Sequence, residues 1–281
     1  MTIIPVLSGC GQTEPKKDGL NIVTSFYTMY DFTSKIAGDH ANVINIMPSG
    51  TDAHDWEPST KDMAKIIDSD ILIYNGAGME SWIDKVKESV SSDEILFVET
   101  TNDIVISENS DPHVWLDPML AKIQMKNIAD ALCEKDPDNS DYYTENYNKY
   151  SLQLDALNET YKTETATFTK HDIIVAHEAY GYLCSAYGIT QMGIDGLTSH
   201  NEPSPIRMQE IIDFGKENGL SYVFYDEMES KKTAETVAEE IGAKVEILTS
   251  IESLSAENET DGDDYFSLMN KNLEKLKAAL K

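Results

Sequence analysis

The chain has few cysteines and few basic residues, and it contains no long apolar run. Three cysteines in 281 residues cannot staple a disulfide framework, and their separation matches neither a zinc ribbon nor a thioredoxin pair. No stretch of ~18 apolar residues exists, so no segment reads as a membrane-spanning helix. Glycine (15) and proline (9) are too scarce for a low-complexity or collagen-like chain. Only 22 Lys and Arg stand against 50 Asp and Glu, for a formal net charge of −28. Such a surface repels phosphate backbones and draws cations near, so nucleic acid is excluded as a partner. Acidity alone selects no cation site. What the chain does have is 41% hydrophobic residues, enough for real cores, and a length suited to about two domains.

Short β-branched runs alternate with helical patterns: 21–25, 43–47, 71–74, 95–98, 173–176, 222–225 and 245–248. Strand, helix, strand in repetition predicts parallel α/β layers. Residues 138–180 contain neither Gly nor Pro, and Tyr143, Tyr147, Tyr150, Leu154, Leu157 and Tyr161 recur at spacings of 4, 3, 4, 3 and 4. That is one long amphipathic helix, on the order of 45 Å, joining two lobes. Its stripe is too short for a dimerising coiled coil, and a monomer is expected. The expected division is a leader and tether over 1–19, an N-terminal lobe over 20–137, the linking helix over 138–169 and a C-terminal lobe over 170–281.

The two sides of that helix echo each other. Glu57-Pro-Ser59 with Met63, Ile66, Ile67 and Asp68 returns 145 residues later as Glu202-Pro-Ser204 with Met208, Ile211, Ile212 and Asp213. In both copies Pro and Ser sit where a helix would begin. Two pseudo-equivalent α/β lobes would bind a ligand in the cleft between them, at the carboxyl ends of their strands.

Three histidines fall at strand or loop ends. His54 lies in the loop after the second strand, His113 in Asp111-Pro-His-Val-Trp-Leu-Asp-Pro118, and His177 directly ends the strand at 173–176. Asp117-Pro118 is suited to cap the helix that follows. Neutral imidazoles drawn from both lobes are good ligands for a borderline divalent ion such as Zn²⁺. His40 and His171 read as surface residues. Cys133 and Cys184, in apolar helical contexts, read as buried free thiols.

At the amino end, Met1-Thr-Ile-Ile-Pro-Val-Leu-Ser-Gly9 leads into Cys10. Leu7-Ser-Gly-Cys10 resembles the lipobox of bacterial lipoproteins, in which the cysteine is lipidated, and the polar stretch from Gly11 to Gly19 resembles a tether. No basic residue precedes it, so the start reads as clipped.

Taken together, Gly50-Thr-Asp-Ala-His54 with Trp56-Glu-Pro-Ser59, the string DPHVWLDP at 111–118, His177-Glu-Ala-Tyr-Gly-Tyr182 and the segment 196–204 resemble the metal-specific substrate-binding proteins of ABC transporters. This is the zinc and manganese family called cluster A-I or solute-binding family 9. The resemblance runs from Leu20 to Lys281. It implies two α/β lobes bridged by a rigid helix, with one metal held between them by four side chains.

Carried over by position, the resemblance implies ligands at His54, His113 and His177. Histidine rather than Glu at the third position implies zinc rather than manganese. The fourth ligand falls on Glu252, in Leu248-Thr-Ser-Ile-Glu-Ser-Leu254, which departs from the family's usual segment at Thr249, Ser250 and Ser253. Asp226, Glu227 and, through the internal repeat, His200 compete for that place, although Asp226 and Glu227 equally read as helix caps. Trp115, Glu178 and Tyr180 are the neighbours expected to orient the ligating histidines. Only Ser107-Glu-Asn-Ser110 stands where many relatives carry a His-rich loop, so a metal-gathering loop is expected to be absent.

The implied protein is an extracytoplasmic lipoprotein that delivers Zn²⁺, carried as cargo, to an ABC importer permease. A manganese or iron receptor is the alternative. A zinc hydrolase using Glu178 or Glu252 as base, or a surface adhesin, stands further off, since no HExxH helix, nucleophile motif or phosphate loop is present.

Overall fold

A computed structural model of the chain describes residues 19–90, 95–197 and 203–281. Cys10 and His200, both named above, lie outside the described residues.

The first lobe runs β1 (Leu20–Thr24), α1 (Tyr27–Ala37), β2 (Ala41–Asn45), α2 (Thr60–Ile67), β3 (Ile71–Tyr74), α3 (Ile83–Ser89), β4 (Leu96–Glu99) and α4 (Pro118–Lys135). Then comes α5 (Ser140–Thr165). The second lobe follows with β5 (Asp172–Val175), α6 (Gly181–Tyr187), β6 (Thr190–Gly193), α7 (Pro205–Glu217), β7 (Tyr222–Tyr225), α8 (Lys232–Ile241), β8 (Lys244–Ile247), α9 (Ala256–Asp261) and α10 (Tyr265–Leu280).

Each lobe carries a four-stranded parallel sheet, ordered β2-β1-β3-β4 in the first and β6-β5-β7-β8 in the second. The orders are equivalent, as the sequence echo predicts. The strand order reverses beside β1 and beside β5, opening a crevice at the carboxyl end of each sheet. The two α/β lobes of parallel sheet are therefore as expected, with one addition: among the described residues eight strands form where seven were expected. The missed strand is β6, Thr-Gln-Met-Gly, at a sheet edge with only Gly193 buried. An edge strand with a polar exposed side carries no apolar run to betray it.

The repeated Pro-Ser pairs mark helix starts. The Ser59 hydroxyl caps α2 by accepting from Asp62 N–H in a reciprocal capping box, and the Ser204 hydroxyl caps α7 by accepting from Arg207 N–H. Asp117 caps α4 with Pro118 in its first turn. At 26 residues α5 is about 39 Å long, shorter than the expected link because a 3₁₀ turn at Pro137–Asn139 precedes it and the helix stops at Thr165. It packs against α1 and α4 on one side and α6 and α10 on the other.

Two satellite cores lie outward in the lobes, one around Ile66 and Leu72, the other around Ile211 and Val223. The main core is shared. Phe26, Trp115, Leu154, Tyr161, Tyr180, Ile251 and Tyr265 belong to one buried cluster drawn from both lobes and the linking helix. Its polar ends are satisfied across the junction: Tyr265 Oη–H donates to Trp115 O at 2.7 Å and Tyr161 Oη–H to Met269 O at 2.6 Å. Among the described residues no helix is long and apolar enough to cross a membrane. Both Cys133 and Cys184 are free; Cys184 is buried, but Cys133 is only half-buried because it faces the turn into α5.

Candidate metal centre

Each candidate ligand sits on a loop that local chemistry shapes. After β2 the chain turns at Gly50, whose φ of 74° requires glycine. Gly50 N–H donates to Ser253 Oγ at 2.8 Å, tying this loop to the segment after β8, and Asp52 accepts the His54 amide at 2.8 Å. His113 follows an Asx-turn in which Asp111 Oδ1 accepts the His113 amide at 2.9 Å. Asn75 Nδ2 donates to Pro112 O at 3.0 Å and holds the same loop from below. His177 leaves β5 directly, and the pairing of Ala176 N–H with Phe224 O at 2.7 Å carries the sheet up to it. Glu252 comes from the loop after β8.

These four side chains converge. His54 Nε2 lies 3.1 Å from His113 Nε2, and His177 Nε2 lies 3.2 Å from the same atom. Glu252 Oε1 is 3.2 Å from His113 Nε2 and 3.9 Å from His54 Nε2. All four ligand atoms fall within 4.8 Å of one another. Zn–N bonds of ~2.0–2.1 Å in a tetrahedron put ligand atoms about 3.3 Å apart, so the spacing suits a tetrahedral ion.

The tautomers agree with that use. His113 Nδ1–H donates to Asp111 at 2.7 Å and His177 Nδ1–H donates to Glu229 at 2.8 Å. With Nδ1 protonated, each Nε2 turns a lone pair towards the common point. Glu252 Oε1 is buried and accepts no hydrogen bond, a costly arrangement unless a cation supplies the missing partner.

Charge in the metal-free cluster is shared between one acid and the histidines. Burial opposes a charge on His113, but the hydrogen bond to Asp111 and the negative charge of Glu252 beside the ring outweigh it and raise its pKa to about 9. Burial pushes the Glu252 carboxyl up, and the closeness of His113, with the charges of His54 and His177, reverses that and brings it down to about 2. His54 is lowered, chiefly by burial. His177 is raised, because the Glu229 bond and the nearby acids outweigh its burial. A divalent ion held here would displace protons and take over the role of the imidazolium.

Other residues singled out in the sequence lie elsewhere. Asp226 is buried but serves the backbone, accepting Met228 N–H at 2.9 Å and Ser250 N–H at 2.5 Å. Burial, only partly offset by those bonds, raises its pKa to about 6. Glu227 accepts from Asn258 Nδ2 at 3.0 Å. Neither caps α8, which begins after Lys231. Trp115, Glu178 and Tyr180, expected as neighbours that orient the histidines, make these contacts. Trp115 Nε1–H donates to Ser250 O at 2.7 Å and its ring lies against His113, centroids 5.2 Å apart; the Tyr180 hydroxyl donates to Leu248 O; Glu178 is influenced mainly by burial and by Arg207. The orienting carboxylates are Asp111 and Glu229. Asp111 was legible as the Asx residue of Asp-Pro-His, whereas Glu229 is 52 residues from its histidine and no local pattern announces it. The His40 ring lies tilted against Tyr142, centroids 4.2 Å apart, and His171 is exposed, both apart from the cluster.

Known proteins carry the same organisation. A family model described as zinc-uptake complex component A, periplasmic, matches residues 22–279. The chain is 37% identical over 288 residues to the high-affinity zinc uptake system protein ZnuA of Bacillus subtilis, covering 96% of this chain and 90% of that protein. It is 33% identical over 289 residues to the zinc-binding lipoprotein AdcA of Streptococcus pneumoniae, covering 96% of this chain but only 58% of AdcA. It therefore spans little more than half of that relative's length. The crystal structure of the Zn(II)-bound ZnuA-like domain of AdcA from Streptococcus pneumoniae superposes with a TM-score of 0.84 at 35% identity, covering 93% of this chain and 99% of that one.

Proposed function

The chain belongs to the family of zinc-uptake complex component A proteins, and from that premise we propose that it captures Zn²⁺ outside the cytoplasm and delivers it to an ABC importer. The ligands we assign are His54, His113, His177 and Glu252. One observation carries the assignment: three Nε2 atoms and one buried, bond-free carboxylate oxygen converge within 4.8 Å. The orientation of two of the imidazoles by Asp111 and Glu229 supports it.

Three neutral nitrogens and one carboxylate suit Zn²⁺ better than Mn²⁺, which favours oxygen. Four protein donors close a tetrahedral sphere, and catalytic zinc keeps a position open for water, so the site is one of binding rather than hydrolysis. In this reading residues 20–137 and 170–281 are the lobes, 138–169 the link, and a lipid on Cys10 the attachment to the membrane. The protein acts as a monomer beside its permease.

Metal analysis after chelation and refilling tests the reading. About one Zn²⁺ per chain is expected, as for a single four-ligand site, and its loss in the His54→Ala/His177→Ala double variant. Zinc-limited growth supported equally well by that variant would reject the receptor role.

A further inference from the structure

Four non-glycine residues among those described have positive φ: Ala77, Asp103, Ser110 and Ile251. Ile251 is the β-branched one, at φ 63°, where the branched Cβ crowds its own backbone. It is fully buried in the shared core and immediately precedes Glu252. Such a conformation persists only where the surroundings over-determine it.

Here they do. From Thr249 to Glu252 the chain has no regular secondary structure, yet its backbone is pinned group by group. Asn272 accepts Thr249 N–H at 3.0 Å and donates to Thr249 O at 2.8 Å. Ser250 N–H goes to Asp226 and Ser250 O accepts from Trp115. Ile251 N–H donates to Thr249 Oγ1 at 3.1 Å, and Ile251 O accepts the Thr28 hydroxyl at 2.5 Å. Glu252 O accepts Tyr27 N–H at 3.2 Å. Tyr27, Thr28 and Trp115 belong to the first lobe, so a loop that the second lobe supplies is fastened to the body that carries His113.

We propose that Ile251, held in the left-handed conformation by the Thr28 hydroxyl on its carbonyl, is the positioning residue that aims the Glu252 carboxylate at the metal and fixes its distance. The proposal rests on Glu252 being a ligand, as assigned above. Returning φ to the ordinary negative range would swing the following residue away from His113. A carboxylate fixed at one distance favours a small tetrahedral ion. A carboxylate free to shift admits bidentate contact and the higher coordination numbers that Mn²⁺ takes. The latch therefore contributes to metal choice as well as affinity.

The experiment compares Thr28→Val, which keeps shape and burial but loses the hydroxyl, with Thr28→Ser as rescue, and adds Ile251→Gly, which tolerates positive φ but releases the chain to other conformations. Glu252→Gln is the control for ligation. Zn²⁺ and Mn²⁺ affinities and the visible absorption of the Co²⁺-loaded protein are measured on variants shown to be folded by thermal melting. Thr28→Val and Ile251→Gly are each expected to lower Zn²⁺ affinity about tenfold, as lost supporting contacts do. They should also narrow the Zn²⁺/Mn²⁺ ratio and weaken the Co²⁺ bands, while Thr28→Ser restores all three. A merely structural role would move the melting temperature and leave the bands unchanged. Wild-type affinities and spectra in both variants, with Glu252→Gln impaired, overturn the positioning role alone. A wild-type Glu252→Gln overturns the ligand assignment and this proposal with it.

Discussion

Asp111→Asn should change how zinc affinity depends on pH more than how strong it is at neutrality. In the metal-free protein Asp111 Oδ1, 2.7 Å from His113 Nδ1, helps raise the His113 pKa to about 9. Below that pH His113 holds a proton that zinc must displace, so affinity falls as pH falls, by about tenfold per unit. From pH 9 to pH 7 the competition amounts to about 100-fold. Replacing the carboxylate by an amide has two opposing effects. It weakens the ligand and its orientation, by about 10–100-fold. It also lets the His113 pKa drift towards the ordinary ~6.5, relieving up to about 100-fold of proton competition at pH 7. Near pH 7 the two largely cancel; near pH 9 only the weakening remains. The variant's affinity profile should be flatter, diverging from wild type by up to about 100-fold as pH rises from ~7 to ~9. Competition against a chelator of known zinc affinity would measure this. Calorimetry in buffers of different ionisation enthalpy would count up to about one proton fewer released per zinc by the variant near neutrality. Parallel profiles displaced by a constant factor would refute the assignment of Asp111 as the source of the raised His113 pKa.

Other changes test neighbouring parts of the structure. A Cβ on Gly181 would stand 2.4 Å from Asp111 Oδ2, so Gly181→Ala should push that carboxylate aside and lower zinc affinity about tenfold in titrations at alkaline pH. Gly188, in the left-handed region with open space around it, provides the contrast: Gly188→Ala should cost about 1 kcal/mol of stability in urea unfolding and leave zinc binding unchanged. Trp115→Phe strands the buried Ser250 carbonyl and opens a gap in the shared core, for a loss of about 2–4 kcal/mol by denaturant titration. Zinc at 100 times its dissociation constant should stabilise the chain by about 2.7 kcal/mol, seen as a raised melting temperature that chelator or acid removes.

Much of the molecule was readable before any coordinates. Helix starts at Ser59, Ser204 and Asp117 are written in short caps, seven of the eight strands among the described residues in apolar runs, and the linking helix in its stripe of Tyr and Leu. These signals are local: a capping serine or a period of 3.6 acts within a few residues, and so it survives in the bare sequence. The internal echo carried the equivalence of the lobes for the same reason. The strand β6 escaped because edge position, not composition, makes Thr190–Gly193 a strand.

The site divides along the same line. Three histidines stood out by their place at strand ends, and Glu252 followed from resemblance of its segment. What the linear order could not express is how they are held. Glu229 reaches His177 across 52 residues, Ser253 reaches Gly50 across 203, and Thr28 latches Ile251 across 223. Asp226, weighed as a competitor for the fourth ligand from its place at a strand end, braces the Ser250 amide. Such roles depend on distances of about 3 Å between groups far apart in the chain, and only the packing of both lobes around one shared core brings them together. The sequence alone therefore determined most of the elements and which imidazoles were candidates to meet at the cleft. The tertiary structure decided which carboxylates orient them and which way Glu252 points, because hydrogen-bond geometry is set by the neighbours that folding supplies.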